Sequence, residues 1–206
     1  MKTFIPDELE GRAGYFLLTS MVVPRPIAWV SSLSAEGSRN LAPHSYFNAI
    51  SSDPLIVHFT STGVKDTLRN VQATGEFVVN VVSRDLVEEM NLTSGNFPPE
   101  EDEFLWAGLG GAPSQFVAPD RVARAKVAIE CTVNHIHSLG NGNMVFGDVR
   151  CVHVDESVMT DGRIDPHLLQ PVSRLGGSYY SDASADLFEI RRPTWDDLKE
   201  QGPPQR

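Results

Sequence analysis

Chemistry is most densely coded between Asn40 and Thr67, in the stretch NLAPHSYFNAISSDPLIVHFTSTGVKDT. Ser45, Asn48, Ser51, Ser52, Thr60, Ser61, Thr62 and Thr67 set small hydrogen-bonding groups among aromatic and aliphatic neighbours. That mixture suits a flat, polar-edged, phosphorylated ligand, although Ser and Thr taken singly serve ordinary strands and turns. The stretch ends in Ser61-Thr62-Gly63-Val64-Lys65-Asp66-Thr67, which joins hydroxyls, a permissive glycine and a lysine to a predicted helix start. Unpaired N–H groups and the positive dipole end bind phosphate at such a place, and Lys65 adds a point charge. Asp66 would repel phosphate unless it caps the helix or pairs with a neighbour such as Arg69. The segment is neither a P-loop nor GxGxxG, so alone it reads as an ordinary capped helix more often than as a phosphate site.

Two further groups carry potential chemistry. His135 and His137 continue the spacing of Val127, Ile129, Cys131 and Val133, so an apolar row would end in two imidazoles that reach a cleft. A metal there needs a third and fourth ligand, and the sequence names none. Cys131 falls mid-strand on the inward face and reads as an inert buried thiol. No GxSxG elbow supports a serine nucleophile.

The elements that must position these groups are short. Glu8 to Val23 predicts a helix, with Tyr15, Leu18 and Met21 at helical spacing and Pro24 blocking its continuation. Ile27 to Ser34 predicts a buried strand, Ala35–Ser38 a turn, and Asn40 onward a returning strand. Leu55 to Thr60 and Phe77 to Val82 predict two more strands around a short helix. Asp66 or Thr67 would cap that helix, and Gly75 would stop it. Helices are expected at Arg84–Leu92 and Pro99–Ala107, with the acidic run Glu100–Glu103 solvated in the first turn of the second. A period-two strand from Val127, a turn at Gly140-Asn141-Gly142 and a return from Met144 to Val154 make a second hairpin. After Pro166 the chain is loop-rich, and GPPQR reads as a frayed tail. Strands in hairpin connections with few helices predict an antiparallel barrel with peripheral helices, not a doubly wound sheet.

Composition bounds the rest. The chain has 206 residues, 41% hydrophobic and 21% charged, with a formal charge of −10, which argues against a nucleic-acid partner. Cys131 and Cys151 are too few for a disulfide framework, so a reduced, cytoplasmic setting is expected. No signal-like core or membrane-spanning stretch is visible, so no membrane partner is expected.

The segments PRPIAWVSSLSAEGSRNLAPHSYFNAISSDPLIVHF, KDTLRN, TGEFVVNVV, MNLTS, DEF-x-x-AGL, GNMVFGDV and RLGGSYY, in this order, resemble the flavin reductase-like, FMN-binding split-barrel family. The resemblance covers almost the whole chain. It implies one domain over 1–206: an N-terminal helical segment (1–23), a Greek-key split β-barrel (24–160) and a loop-rich extension (161–206). It also implies a homodimer with FMN near the subunit interface, NAD(P)H as co-substrate, and an oxygenase or other electron acceptor as partner. By motif position, Ala42, Pro43, His44, Ser45 and Tyr46 would approach the isoalloxazine. Asn48, Ala49, Ile50, Ser51 and Ser52 would bond its polar edge. Ser61, Lys65 and Thr67, with Asp66 between them, would hold the phosphate, and Tyr179 or Tyr180 would cover the ring. The chemistry is expected on the flavin, with His137 the one side chain kept as a catalytic candidate. In one respect the chain departs from the pattern. Many reductases of the family carry Gly-Asp-His where this chain has Gly140-Asn141-Gly142-Asn143, and that histidine helps place the nicotinamide. The departure favours a second reading, an FMN-binding electron carrier without its own nicotinamide site. A third is a non-redox binding module.

Overall fold

Ile27 to Ser34 folds as expected: Ala28–Leu33 (β1) turns and pairs antiparallel with Arg39–His44 (β2), Ala28 opposite His44. The structure is a computed structural model and describes residues 1–201; the tail expected at Gly202–Arg206 lies outside the described residues. Before the hairpin comes the helix Ala13–Met21 (α1). Its apolar residues Tyr15, Leu18 and Met21 are exposed, and its buried residue is Thr19. The returning strand is two strands. It breaks at Ser45–Tyr46 and resumes as Phe47–Ser52 (β3), which pairs with Leu55–Thr62 (β4). Asp66–Thr74 (α2) follows and stops at Gly75, whose φ of 73° is the left-handed geometry that favours glycine. Then come Glu76–Val81 (β5), Val87–Leu92 (α3) and Glu103–Trp106 (α4). The long hairpin is Val127–Leu139 (β6) with Gly142–Val154 (β7).

These strands form one seven-stranded antiparallel sheet in the order β2-β1-β5-β6-β7-β4-β3. Its two edges, β2 and β3, are consecutive in the chain, so the bend at Ser45–Tyr46 carries the backbone from one edge to the other. There the Thr60 N–H donates to the Tyr46 carbonyl at 2.8 Å. This is the expected antiparallel split barrel. The loop-rich extension holds Pro166–Leu169 (α5), Val172–Arg174 (β8), Tyr180–Asp182 (β9) and Trp195–Gln201 (α6). Arg25–Pro26, β8 and β9 make a small second sheet. No described helix is long and apolar enough to cross a membrane.

Alternation along β1 sends residues into two cores. Ala28 and Val30 join Val57, Phe59, Leu68, Val71, Phe77, Val79, Cys131 and Val145 inside the barrel. Ile27 and Trp29 join Leu41, Leu86, Met90 and Phe104 under α3 and α4. Phe59 and Phe77 meet edge-on, ring centroids 5.3 Å apart, which adds about 0.5–1.5 kcal/mol to their burial. Gly147 is required here, because a Cβ would overlap the Phe77 ring.

Two expectations about buried faces are corrected. The helix predicted from Pro99 begins only at Glu103, and Glu103 is buried rather than solvated. Likewise β6 is buried on both sides over Val127–Cys131, and Glu130 is fully enclosed. The register slips by one between His135 and Val133, leaving Asn134 as an extra residue. A bulge of this kind exchanges the two faces. Val133 and Ile136 therefore pack on the barrel core while His135 and His137 are exposed. The imidazole row does not reach a cleft.

His44 sits at the end of β2 with its ring centroid 4.7 Å from Phe59. Burial pushes its pKa down to about 4, with nearby Lys65 adding to the effect and a backbone hydrogen bond at Thr60 opposing it. The unfolded chain gains this proton near pH 6.5 and the folded chain only near 4, so stability is complete above 6.5 and declines as pH falls through the window. A shift of this size is worth on the order of 3 kcal/mol. Urea unfolding should therefore lose much of its free energy between about pH 7 and about pH 4.5, and His44→Gln should flatten that slope. An unchanged slope in the variant would remove His44 as its source.

Candidate functional site

The bend after β2, the end of β4, the start of α2 and the loop after α3 enclose a cleft of about 310 Å³, within the range of small-ligand sites. Ala42, Pro43, His44, Ser45, Tyr46, Ser61, Lys65, Asp66 and Thr67, all singled out from sequence, line it. The facing wall runs from Thr93 to Phe97, with Tyr15 of α1 beside it. Sequence reading named none of these as site residues. The Ser94-Gly95-Asn96 turn was the available signal, but nothing local tied it to the distant helix start.

The local structure at α2 differs from the expected cap. Lys65 is the N-cap residue with extended backbone, and no side chain caps the helix. Asp66 instead pairs with Arg69, Oδ1 to Nη2 at 2.5 Å, which partly neutralises the carboxylate at the cleft. Thr67 Oγ donates to Asn40 Oδ1 at 2.9 Å, and Asn40 Nδ2 donates to Glu103 Oε1 at 2.8 Å. The Leu41 N–H donates to Glu103 Oε2 at 3.0 Å. Burial pushes the Glu103 carboxyl up, against the opposing bonds from Leu41 and Asn40. The Ser61 hydroxyl donates to the Gly63 carbonyl at 3.0 Å. Both hydroxyl protons expected to face the anion are thus committed to the protein. The uncapped first turn of α2 and the Lys65 ammonium are still open to an anion, and Arg69, Thr62 and Ser94 also line the cleft.

An adjoining groove of about 420 Å³ shares Tyr15, Pro43, Ser45, Lys65 and Ser94 with the cleft. Tyr180 lines this groove and not the cleft itself. Its hydroxyl accepts from Arg174 and donates to Asn91 Oδ1 at 2.9 Å. Tyr179 is exposed. Arg25 is buried and bonds the carbonyls of Thr19, Val22 and Leu175, so it ties α1 and the late loop to the groove.

Asn48, Ala49, Ile50, Ser51 and Ser52 do not line the cleft of their own chain. They run along the edge strand β3, with Ile50 the extra residue of a bulge between Ala49 and Ser51. The Gly140–Asn143 turn is bound to the cleft rim. Asn141 accepts from the Gly63 N–H at 2.9 Å, and Asn143 Nδ2 lies 3.4 Å from the carbonyls of Ser61 and Gly63.

The donor set fits a flat, phosphorylated ring system. The cleft offers Lys65 beside an uncapped helix start, Arg69 held on Asp66, aromatic walls from Tyr15, Tyr46 and Phe97, and the buried His44. His44 Nε2 has no hydrogen-bond partner among the described residues.

Residues 20–169 match the family described as flavin reductase like domain. The crystal structure of nitrilotriacetate monooxygenase component B from Bacillus cereus shares the fold at TM-score 0.88 and 34% identity, over 92% of this chain and 98% of that one. Pseudomonas fluorescens 2-nitrobenzoate 2-nitroreductase NbaA gives TM-score 0.87 and 32% identity, over 94% and 98%. HsaB, the reductase subunit of a flavin-dependent monooxygenase of Mycobacterium tuberculosis, is 30% identical over 154 residues, covering 72% of this chain and 79% of that protein. With the split barrel and the matched residues in agreement, the chain belongs to the flavin reductase like domain family.

Proposed function

We propose that this protein is an FMN-binding oxidoreductase that passes electrons from NAD(P)H through the flavin to an acceptor, as the reductase component of a two-component oxygenase would. The observation that carries the reading is the Lys65 ammonium beside the uncapped start of α2, opening on a cleft with aromatic and hydroxyl walls. When bound, FMN supplies the two-electron chemistry, and the protein supplies binding, orientation and access. Lys65 and the first turn of α2 hold the phosphate. Neutral His44 keeps positive charge away from the ring edge, while Tyr15 and Phe97 limit water around it. The likeness to HsaB and to the nitrilotriacetate monooxygenase component supports an oxygenase as the acceptor.

A second reading, an electron carrier without its own nicotinamide site, draws support from the Gly140–Asn143 turn. Its side chains are short amides, and Asn143 is engaged with Ser138 and the 61–63 carbonyls. A homodimer belongs to the same proposal. Ile50 on β3 is 49% exposed and Leu55 on β4 54%, and α1 presents Tyr15, Phe16, Leu18 and Met21 to solvent. Pairing two copies through these surfaces would bring Asn48–Ser52 to the flavin at the subunit boundary.

Three outcomes follow. Lys65→Ala should weaken FMN binding by roughly 1.5–3 kcal/mol in a fluorescence titration, and an unchanged dissociation constant would remove Lys65 from the site. Anaerobic mixing with NADH or NADPH should bleach the flavin band; bleaching by dithionite alone would favour the carrier. Sedimentation velocity should show a dimer that Ile50→Glu shifts toward monomer, whereas a monomeric parent protein would refute the pairing.

A further inference from the structure

Away from the cleft, on the wall facing outward from the barrel, three metal-ligating side chains converge that the flavin reading does not use. We propose that Glu130, Cys151 and His153 form a Zn²⁺ site. Cys151 and His153 are two apart on β7 and share one face, and Cys151 lies directly opposite Glu130 on β6. A second register slip, between Val149 and Cys151, sets this pairing. Bulges of this kind re-aim side chains beside functional sites.

The ligand atoms, Glu130 Oε1, Cys151 Sγ and His153 Nε2, all lie within 4.8 Å of one another. Sγ is 3.6 Å from Nε2, and Nε2 is 2.5 Å from Oε1. Both neighbours meet the same ring nitrogen. A nucleophilic triad needs the acid on one nitrogen and the thiol on the other, so this arrangement is not one. Convergence of three donors on one point is what a metal requires. Zn²⁺ with ligands at about 2.0–2.3 Å in a tetrahedron needs Nε2 and Oε1 to open to a little over 3 Å. That is a small torsional change for the half-buried imidazole. Gln115 Oε1, 3.9 Å from Sγ, stands beside the fourth position. Thiolate, imidazole and carboxylate together select zinc over magnesium or calcium.

The carboxylate is held for this role. Glu130 is fully buried and accepts from the Gln115 N–H at 2.7 Å and the Phe116 N–H at 2.6 Å. Those bonds fix its orientation as an outer shell does, and zinc would replace the proton shared by Nε2 and Oε1. Bound metal would thereby clamp the segment around Gln115 to the β6–β7 hairpin. None of the three residues lines the flavin cleft, so the proposal stands apart from the flavin reading.

The test is zinc binding to the chelator-treated full chain, by calorimetry and by thermal unfolding. One equivalent should bind and raise the melting temperature. Cys151→Ser and His153→Gln should each weaken binding tenfold or more, whereas His137→Gln should not. Cobalt should give a thiolate charge-transfer band with the parent chain and none with Cys151→Ser. The second variant guards against misfolding of the first, because glutamine can still bond Glu130. Absence of binding, or equal binding by the parent and both variants, would leave Glu130 and His153 as an ion pair only and overturn the proposal.

Discussion

The cleft depends on one buried polar chain, Thr67 to Asn40 to Glu103, running from the start of α2 across β2 to α4. Its members are buried, so each polar atom left unpaired there would cost about 1–3 kcal/mol. The chain is well paired: Asn40 bonds on both sides, Glu103 also takes the Leu41 N–H, and Ser32 links in Asn70. A network of this kind fixes geometry more than it adds stability. It sets the beginning of α2 against the edge of the sheet, and so decides where Lys65 stands.

No side chain caps α2 because its N-cap residue is Lys65, whose ammonium has no acceptor. Asp66 and Thr67 lie within the first turn, the one paired with Arg69 and the other donating to Asn40. The helix start is left available to a ligand.

Much of the barrel was legible because its strands carry local signals. The hairpin at Ala35–Ser38, the turn at Gly140–Gly142 and the stop at Gly75 are chain-local, and the structure has them all. Ala42–Tyr46 and the helix start, singled out from sequence, meet at one cleft, whereas Asn48–Ser52 do not line it. What escaped depends on contacts between distant residues. The bulge at Asn134 turns His135 and His137 outward, and nothing in the alternation foretells one extra residue. Glu103 and Glu130 look solvated in sequence, yet each is enclosed by backbone N–H groups contributed by other segments. The Thr93–Phe97 wall joins the cleft only through tertiary packing. Trp29 helps hold it, its indole N–H donating to Thr93 Oγ at 2.9 Å.

The committed hydroxyls of Ser61 and Thr67 have one more consequence. With those protons spent internally, an anion at the mouth of α2 would meet main-chain N–H groups and the Lys65 ammonium, with Arg69 held on Asp66 beside it. Main-chain donors cannot be swapped out one at a time; they exist only while the helix is seated. Occupancy and folding are then linked quantities, and each tenfold excess of ligand over its dissociation constant adds about 1.4 kcal/mol to the folded state. If the proposed FMN phosphate is seated there, the protein's resistance to heat would rise with the supply of cofactor.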